Sequence, residues 1–281
     1  MKKVISASRR TDLVAFFPEW LSEVFREENA LVYGPSGRTY TVDLSPEDVH
    51  TVVLWSKNFT NLIENRNNLR EALQRQEQLY LHFTITGLGG GFIERGVPAF
   101  SEALCQLDSL VEIAGSPLRI SLRFDPVVYW KEDGKLKTNL NYFEKLAPEL
   151  ASRGIRDVRF SFAQWYGKAV RRALKHGFHY VDPPLDEKQD AGRFLAQVAN
   201  EWKLRLFSCS QDFLTDVQGI HASACIDGKL LRELHPRGHE VSAKKDRSQR
   251  VQCRCTESID IGSYTQSCPH ICLYCYANPR I

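Results

Sequence analysis

Residues 52–86 read VVLWSKNFTNLIENRNNLREALQRQEQLYLHFTIT and set the pattern for most of the chain. They begin with a strand candidate at Val52–Ser56, continue with an amphipathic helix candidate at Leu62–Gln74 and end with a strand candidate at Tyr80–Thr86. A helix between two strands returns the chain to the edge at which the first strand began, so the two strands lie parallel. The segment therefore predicts a parallel α/β sheet.

The same alternation continues on both sides of this segment. The other strand candidates are Val4–Ser8, Leu118–Phe124, Asp157–Phe162, Leu204–Ser208 and the short Ser258–Gly262, and the other helix candidates are Phe17–Arg26, Phe100–Ile113, Asn141–Ser152 and Lys188–Trp202. One exception is Ala30–Leu44, which reads as a hairpin turning at Pro35-Ser36-Gly37. The 281 residues suit a partial or full (β/α) TIM-like barrel with right-handed connections.

We expect two parts in the chain, a barrel over residues 1–210 and a cysteine-rich C-terminal segment over residues 211–281 that completes or caps it. The formal charge of +3 is too small to indicate general nucleic-acid binding. The N-terminus has no apolar run of signal-peptide length, and no window approaches the roughly 18 apolar residues of a membrane span. These features predict a cytoplasmic protein with no membrane partner.

Seven of the eight cysteines follow residue 208, and this clustering in a reducing compartment indicates metal binding rather than disulfides. They are Cys209, Cys225, Cys253, Cys255, Cys268, Cys272 and Cys275. The remaining one, Cys105, lies among apolar residues at helical spacing, which predicts ordinary packing.

Polar residues follow the apolar strands one after another. They are Ser8-Arg9-Arg10-Thr11-Asp12, Ser56-Lys57-Asn58, Thr84 and Thr86, Arg123 with Asp125, Ser161 with Gln164, and Cys209. Ligands of parallel α/β folds bind beyond the carboxyl ends of the strands, so we expect one shared pocket. Its candidate cofactor or substrate contacts are Arg9, Arg10, Asp12, Lys57, Arg123 and Asp125. Asp12 has the alternative role of capping the following helix.

Residues 267–280, SCPHICLYCYANPR, place three cysteines at the spacing CxxxCxxC. Three thiolates on one loop can hold three irons of a [4Fe–4S] cluster and leave the fourth iron open to the amino and carboxylate groups of S-adenosylmethionine (SAM). This spacing resembles the signature of the radical SAM superfamily, in which an aromatic residue such as Tyr274 usually precedes the last cysteine. The wording CLYCYAN is particularly similar to the spore photoproduct lyase branch.

The resemblance implies a (β/α) barrel, a [4Fe–4S] cluster on Cys268, Cys272 and Cys275, SAM as cofactor, and a one-electron donor such as ferredoxin or flavodoxin. It also implies that an adenosyl radical abstracts hydrogen from a substrate, here unknown, as are the catalytic residues. In the superfamily the motif follows the first barrel strand. Here it ends the sequence, so Ser258–Gly262 would be the first strand of a circularly permuted barrel. The Gly-Gly-Glu motif that usually binds the SAM amine is missing from the strand that would come second; Gly89-Gly90-Gly91 lies elsewhere and lacks an adjacent glutamate.

The other four clustered cysteines, Cys209, Cys225, Cys253 and Cys255, are enough to hold a second four-iron cluster or a zinc ion. The whole chain also resembles a family of uncharacterised bacterial proteins that shares SASRRTD, a CxC element, SIDIG and the terminal motif, together with cysteines like Cys209 and Cys225. A second cluster, zinc and redox-inert cysteines all stay open for this set.

Two alternative functions remain at this point. One is a zinc-stabilised barrel that binds nucleic acid or phosphate through the basic residues 235–255; the other is an iron–sulfur protein that does not cleave SAM. His235 and His239 are weak ligand candidates because no carboxylate motif accompanies them. His82 lies within a strand and is predicted to be a core histidine.

Overall fold

Eight parallel strands form the central sheet in a computed structural model that describes residues 1–34, 37–263 and 265–277. In chain order the helices and strands are β1 (Lys3–Ala7), α1 (Leu13–Phe16), α2 (Pro18–Arg26), β2 (Asn29–Tyr33), β3 (Thr39–Asp43), β4 (Val49–Ser56), α3 (Thr60–Ile63), α4 (Leu69–Gln74), β5 (Leu79–Thr84), α5 (Phe100–Leu104), α6 (Leu107–Ala114), β6 (Ile120–Val127), β7 (Tyr129–Glu132), β8 (Lys135–Thr138), α7 (Asn141–Ser152), β9 (Asp157–Phe162), α8 (Gly167–Lys175), β10 (His179–Val181), α9 (Leu185–Glu201), β11 (Arg205–Ser208), β12 (Ile220–Ala222), α10 (Gly228–Leu234) and β13 (Ile259–Asp260). The sheet order is β12-β11-β9-β6-β5-β4-β1-β13, and every neighbouring pair is parallel. The predicted α/β class is confirmed.

The strand nearest the C-terminus pairs with the strand nearest the N-terminus. In β13, Ile259 lies opposite Ile5 and Asp260 lies opposite Ser6 of β1. This is the neighbour that the permuted strand order requires. Within the described ranges no pairing joins β12 to β13, so closure of the sheet into a barrel stays a prediction. The strand β12 was missed because its three residues carry too short an apolar pattern.

Two small antiparallel sheets flank the central one. The predicted hairpin is present as β2 and β3, whose turn at Pro35-Ser36 lies outside the described residues. The second, β10-β7-β8, was not predicted. The predicted continuous helix Leu62–Gln74 is wrong, because it is divided into α3 and α4. Asn65 and Asn68 lie between the two helices and have left-handed φ values of 53° and 58°, which interrupt the helical backbone. Asparagine adopts this conformation more readily than other non-glycine residues.

The central sheet is buried on both faces. Alternate side chains such as Ile5, Leu54 and Leu81 enter the large core beneath the helices, while Val4, Val53 and Tyr80 point to the opposite face. There the C-terminal segment covers them with residues that include its cysteines. The described residues after Ser210 thus supply both edge strands and the cover of one face, and the division of the chain at residue 210 stays a prediction.

Two single-residue predictions have clear outcomes. His82 is fully buried and stacks on Trp55 with ring centroids 4.1 Å apart, as expected of a core histidine. The predicted packing of Cys105 is wrong: the helix α5 ends at Leu104, and the Cys105 side chain is exposed. In the described part of the chain, none of the helices has the length and apolar character needed to cross a membrane.

Candidate metal and cofactor site

A cavity of about 320 Å³ lies at the carboxyl edge of the central sheet. It is lined by all fourteen residues that the sequence proposes for the site: Arg9, Arg10, Asp12, Lys57, Arg123, Asp125, Cys209, Cys225, Cys253, Cys255, Cys268, Cys272, Tyr274 and Cys275. The parallel strands explain this convergence, because each strand delivers its last residues to the same edge. The polar residues at successive strand ends therefore share one pocket, as predicted.

The motif cysteines lie on residues 268–275, which we call the cluster loop. Cys272 is buried and the other two are half-buried. A glycine-rich loop after β5, residues 87–97, holds the cluster loop by backbone hydrogen bonds. The N–H of Gly96 donates to the carbonyl of His270 (3.0 Å), and the N–H of Leu273 donates to the carbonyl of Ile93 (3.0 Å). Glu94 also forms an isolated antiparallel bridge with Cys272.

Gly96 lies against the backbone of the cluster loop, and this predicts the effect of a single added methyl group. A Cβ at this position would lie 2.4 Å from the carbonyl oxygen of Pro269, a backbone atom that moves only with the cluster loop. We expect Gly96→Ala to lower the free energy of unfolding by about 1–3 kcal/mol and to reduce metal retention. Gly167→Ala is the matched control, since its Cβ would meet only a flexible arginine end at 3.5 Å. Chemical unfolding curves of both variants test the difference, and equal midpoints would contradict the steric argument.

Asp12 joins the cluster loop to the first strand ends. Its Oδ1 accepts from the backbone N–H of Ala15, which is the helix cap that the sequence left as an alternative. Its Oδ2 accepts from the Ser56 hydroxyl (2.8 Å) and the Lys57 N–H (2.9 Å) and lies 2.7 Å from His270 Nε2. Both carboxylate oxygens are thus engaged by protein groups, so the geometry gives Asp12 a positioning role at the cavity wall.

Lys57 lies between the cluster loop and the fully buried Glu94. Its Nζ donates to Glu94 Oε1 (2.9 Å), the same oxygen that accepts from the Tyr274 hydroxyl, and stands 5.7 Å from the Tyr274 ring centre. Burial alone would lower the pKa of Lys57, but the charge of Glu94 and the hydrogen bond to it outweigh burial and raise that pKa. The cluster loop therefore has a permanent cation beside its most buried thiol.

Burial also controls the thiols of the cluster loop. Desolvation raises the pKa of Cys272 well above its ordinary value, and it raises that of Cys268 to about 11. Without metal both side chains stay neutral at pH 7. A bound cation reverses this, because a coordinating thiol loses its proton. Cys268 and Cys272 therefore become thiolates only when a bound metal cation compensates their negative charge.

The second set of cysteines gathers on the covered face of the sheet. Cys209 Sγ lies 3.6 Å from Cys225 Sγ, and the N–H of Ile226 donates to Cys255 Sγ (3.4 Å). Arg123 Nη1 donates to Cys225 Sγ (3.1 Å). Hydrogen bonds from the Cys209 and Cys255 thiols, together with the charge of Arg123, lower the pKa of Cys225 well below its usual range. This set therefore includes one thiol that is already predisposed to be a thiolate.

The arginines of the cavity surround Trp55. The guanidinium groups of Arg9 and Arg123 lie 5.6 and 5.2 Å from its ring centre, and Arg123 also pairs with Asp125. The Arg10 Nη1 donates to the carbonyl of Gly262 (2.6 Å). The wall of the pocket therefore carries guanidinium groups from several strands, of which that of Arg123 pairs with Asp125 and that of Arg10 with Asp260.

Four residues that hold the site were missed at the sequence level. Asp260 accepts from the hydroxyls of Ser6 and Ser8 and from the Arg9 N–H, and thereby ties β13 to the end of β1. Arg172 donates to backbone carbonyls of the cluster loop, including that of Cys275 (2.8 Å). The others are His270 and Glu94. Two of the four lie in or near sequence motifs that could have indicated them. Asp260 lies inside SIDIG, and Glu94 is the first acidic residue after Gly89-Gly90-Gly91.

No curated protein and no solved structure matches the chain. A family model described as a domain of unknown function (DUF1848) does match, over residues 4–277. The matched range contains the strands of the central sheet from Val4 onward and all seven clustered cysteines. The chain therefore belongs to the DUF1848 family.

Proposed function

We propose that this protein is a radical SAM enzyme whose [4Fe–4S] cluster is held by Cys268, Cys272 and Cys275. The observation that carries the proposal is the position of the cluster loop: its three cysteines line one cavity with cationic residues at the carboxyl edge of a parallel sheet. The resemblance of CLYCYAN to the spore photoproduct lyase branch adds to it. The substrate is a molecule with a hydrogen that a carbon radical can abstract.

The spacing of the three cluster-loop thiols suits a cluster better than zinc. A tetrahedral zinc ion with Zn–S distances of about 2.3 Å holds its sulfurs about 3.8 Å apart. In the described ranges, no three cysteine sulfurs lie mutually within 4.8 Å. Each thiolate of a four-iron cluster binds a different iron, so its sulfurs stand further apart than ligands that share one ion. For Cys268, Cys272 and Cys275 this wider arrangement favours iron–sulfur ligation. Cys209 and Cys225, whose sulfurs lie 3.6 Å apart, would have to move apart to bind two different irons.

The chain's own residues divide the remaining tasks. A cluster held by the cluster-loop cysteines would, when reduced, supply one electron for the cleavage of a carbon–sulfur bond of SAM. We assign the SAM carboxylate to the guanidinium groups of Arg9, Arg10 and Arg123, which can bind it in bidentate fashion. Asp125 and Tyr274 complete the pocket wall. Asp12 and Lys57 position the cluster loop through His270 and Glu94.

We further propose a second [4Fe–4S] cluster on Cys209, Cys225, Cys253 and Cys255. Three of these thiols are at least nine-tenths buried, and all four line the same cavity as the cluster loop. Four thiolates close every iron, so this cluster would have no open position for SAM. A cytoplasmic ferredoxin or flavodoxin is the proposed electron donor, and the sheet is proposed to be a partial, circularly permuted barrel.

Anaerobic reconstitution with iron and sulfide tests the proposal. We expect about eight irons per chain, from two four-iron clusters, and formation of 5′-deoxyadenosine when SAM and a strong reductant are added. About four irons with deoxyadenosine would remove the second cluster only. Clusters without deoxyadenosine would indicate an iron–sulfur protein that does not cleave SAM. A colourless chain with stoichiometric zinc would overturn the radical enzyme and leave the zinc-stabilised binding protein.

A further inference from the structure

Three potential metal ligands converge at the opposite, amino-terminal edge of the sheet. Glu77 lies two residues before the start of β5, and His235 and His239 follow α10. Glu77 Oε2 lies 3.2 Å from His235 Nε2 and 3.1 Å from His239 Nδ1, and the three atoms lie mutually within 4.8 Å. All three atoms are buried and none has a hydrogen-bond partner. The carboxylate cannot be recognised from the local sequence, because Glu77 lies about 160 residues before the two histidines.

The surroundings fix the carboxylate in this orientation. Lys2 Nζ (3.1 Å) and Arg237 Nη1 (3.0 Å) both bind Oε1 of Glu77, which leaves Oε2 for the two imidazoles. The His235 side chain is fully buried, and its ring packs against that of His50 with centroids 4.3 Å apart. The His239 side chain is 38% exposed, so one side of the cluster is open to solvent.

We propose that Glu77, His235 and His239 bind a divalent metal ion, with zinc as the best match, and that solvent fills the fourth position. Zinc with nitrogen and oxygen ligands at about 2.0–2.1 Å has ligand atoms about 3.3 Å apart, close to the two separations from Glu77 Oε2. Two histidines and one carboxylate are a ligand set that zinc and ferrous iron both accept. The ion would link the segment that contains His235 and His239, which precedes the CxC cysteines, to Glu77 just before β5.

Two features limit the affinity of this site. The charges of Lys2 and Arg237 repel a cation, although both side chains lie on the far oxygen of Glu77. The backbone N–H of Arg237 also points at His235 Nδ1 (3.2 Å). Ligation through Nε2 puts the imidazole proton on Nδ1, so this contact must open when the metal binds. We therefore expect tighter binding at alkaline than at acidic pH and weaker binding than at a four-cysteine site.

Zinc analysis of the iron–sulfur-reconstituted chain tests the site. After equilibration with zinc and removal of loosely bound ions, we expect one more zinc per chain in the wild type than in His239→Ala or Glu77→Gln. Iron content should be the same in all of them, which separates this site from the cysteines. His179→Ala is the matched control, because His179 is an exposed histidine of β10 and should leave zinc unchanged.

Two further measurements distinguish the outcomes. Cobalt substitution should give ligand-field bands without thiolate charge transfer in the wild type, and these bands should be missing in Glu77→Gln. Added zinc should raise the thermal unfolding midpoint of the wild type but not of His239→Ala, while both unfold at similar temperatures in chelator. Equal zinc in all variants would overturn the proposal, because it would assign the metal to the cysteines or to none of these residues. If His239→Ala and Glu77→Gln each lost one iron instead of one zinc, the proposed metal site would stand and its ion would be iron.

Discussion

Cys272→Ala is expected to abolish 5′-deoxyadenosine formation and to lower bound iron from about eight to about four atoms per chain. The variant removes one of three thiolates on a loop that has no fourth cysteine to replace it. Cys272 is also the most buried cysteine of the cluster loop, so water or buffer reaches its position poorly. Iron analysis and chromatographic detection of deoxyadenosine measure the two effects on the same sample.

Cys225→Ala gives the matched comparison. It removes a ligand of the proposed second cluster, so iron should fall by about the same four atoms per chain while deoxyadenosine is still formed. Cys105→Ala controls for the loss of a thiol as such, because Cys105 is exposed, lies between α5 and α6 and does not line the cavity. Deoxyadenosine formation that persists in Cys272→Ala and disappears in Cys225→Ala would reverse the two assignments. Unchanged iron in both would contradict cluster binding by either set.

The sequence predicted the central sheet well because its strands are short runs rich in β-branched and aromatic residues. Asp157–Phe162 and Asn141–Ser152 match the structure residue for residue. Both faces of the sheet are buried, so the runs stand out from the helices between them. The predicted strand at Ser258–Gly262 was found beside β1, although more than 240 residues separate Ile5 from Ile259 by their numbering. The short β12 and the strands of the β10-β7-β8 sheet lacked such a pattern.

The candidate site was predictable where its residues follow strands, and less so where they come from loops. Arg9 and Lys57 follow strands and Arg123 lies within β6, and parallel topology alone brings them together. Glu94 comes from a loop with several glycines, and its position depends on backbone bonds to the cluster loop. His235 and His239 lacked a visible carboxylate because Glu77 is brought to them only by the fold. Local patterns carry no information about such long-range pairings.

Glu94→Ala is expected to lower the free energy of unfolding of the metal-free chain by about 3–5 kcal/mol. Glu94 is fully buried, and it is the ion-pair partner of Lys57 and the acceptor of the Tyr274 hydroxyl. Its removal leaves the ammonium of Lys57, whose side chain is 14% exposed, without its carboxylate in a poorly solvated position. Anaerobic urea unfolding followed by circular dichroism measures the loss.

The same experiment on two further variants separates the charge from the cavity that the truncation creates. Glu94→Leu combined with Lys57→Met removes both charges and keeps most of the volume, so it should be much closer in stability to the wild type than Glu94→Ala. Glu132→Ala breaks an exposed pair with Lys137, in which both side chains are about half exposed, and should cost less than about 1 kcal/mol. If Glu94→Ala were no more destabilising than Glu132→Ala, Lys57 would be reaching solvent and would not be a fixed cation beside Cys272. The cluster loop would then depend on Arg172 and the Asp12–His270 contact for its position, and Lys57→Met would leave iron retention unchanged.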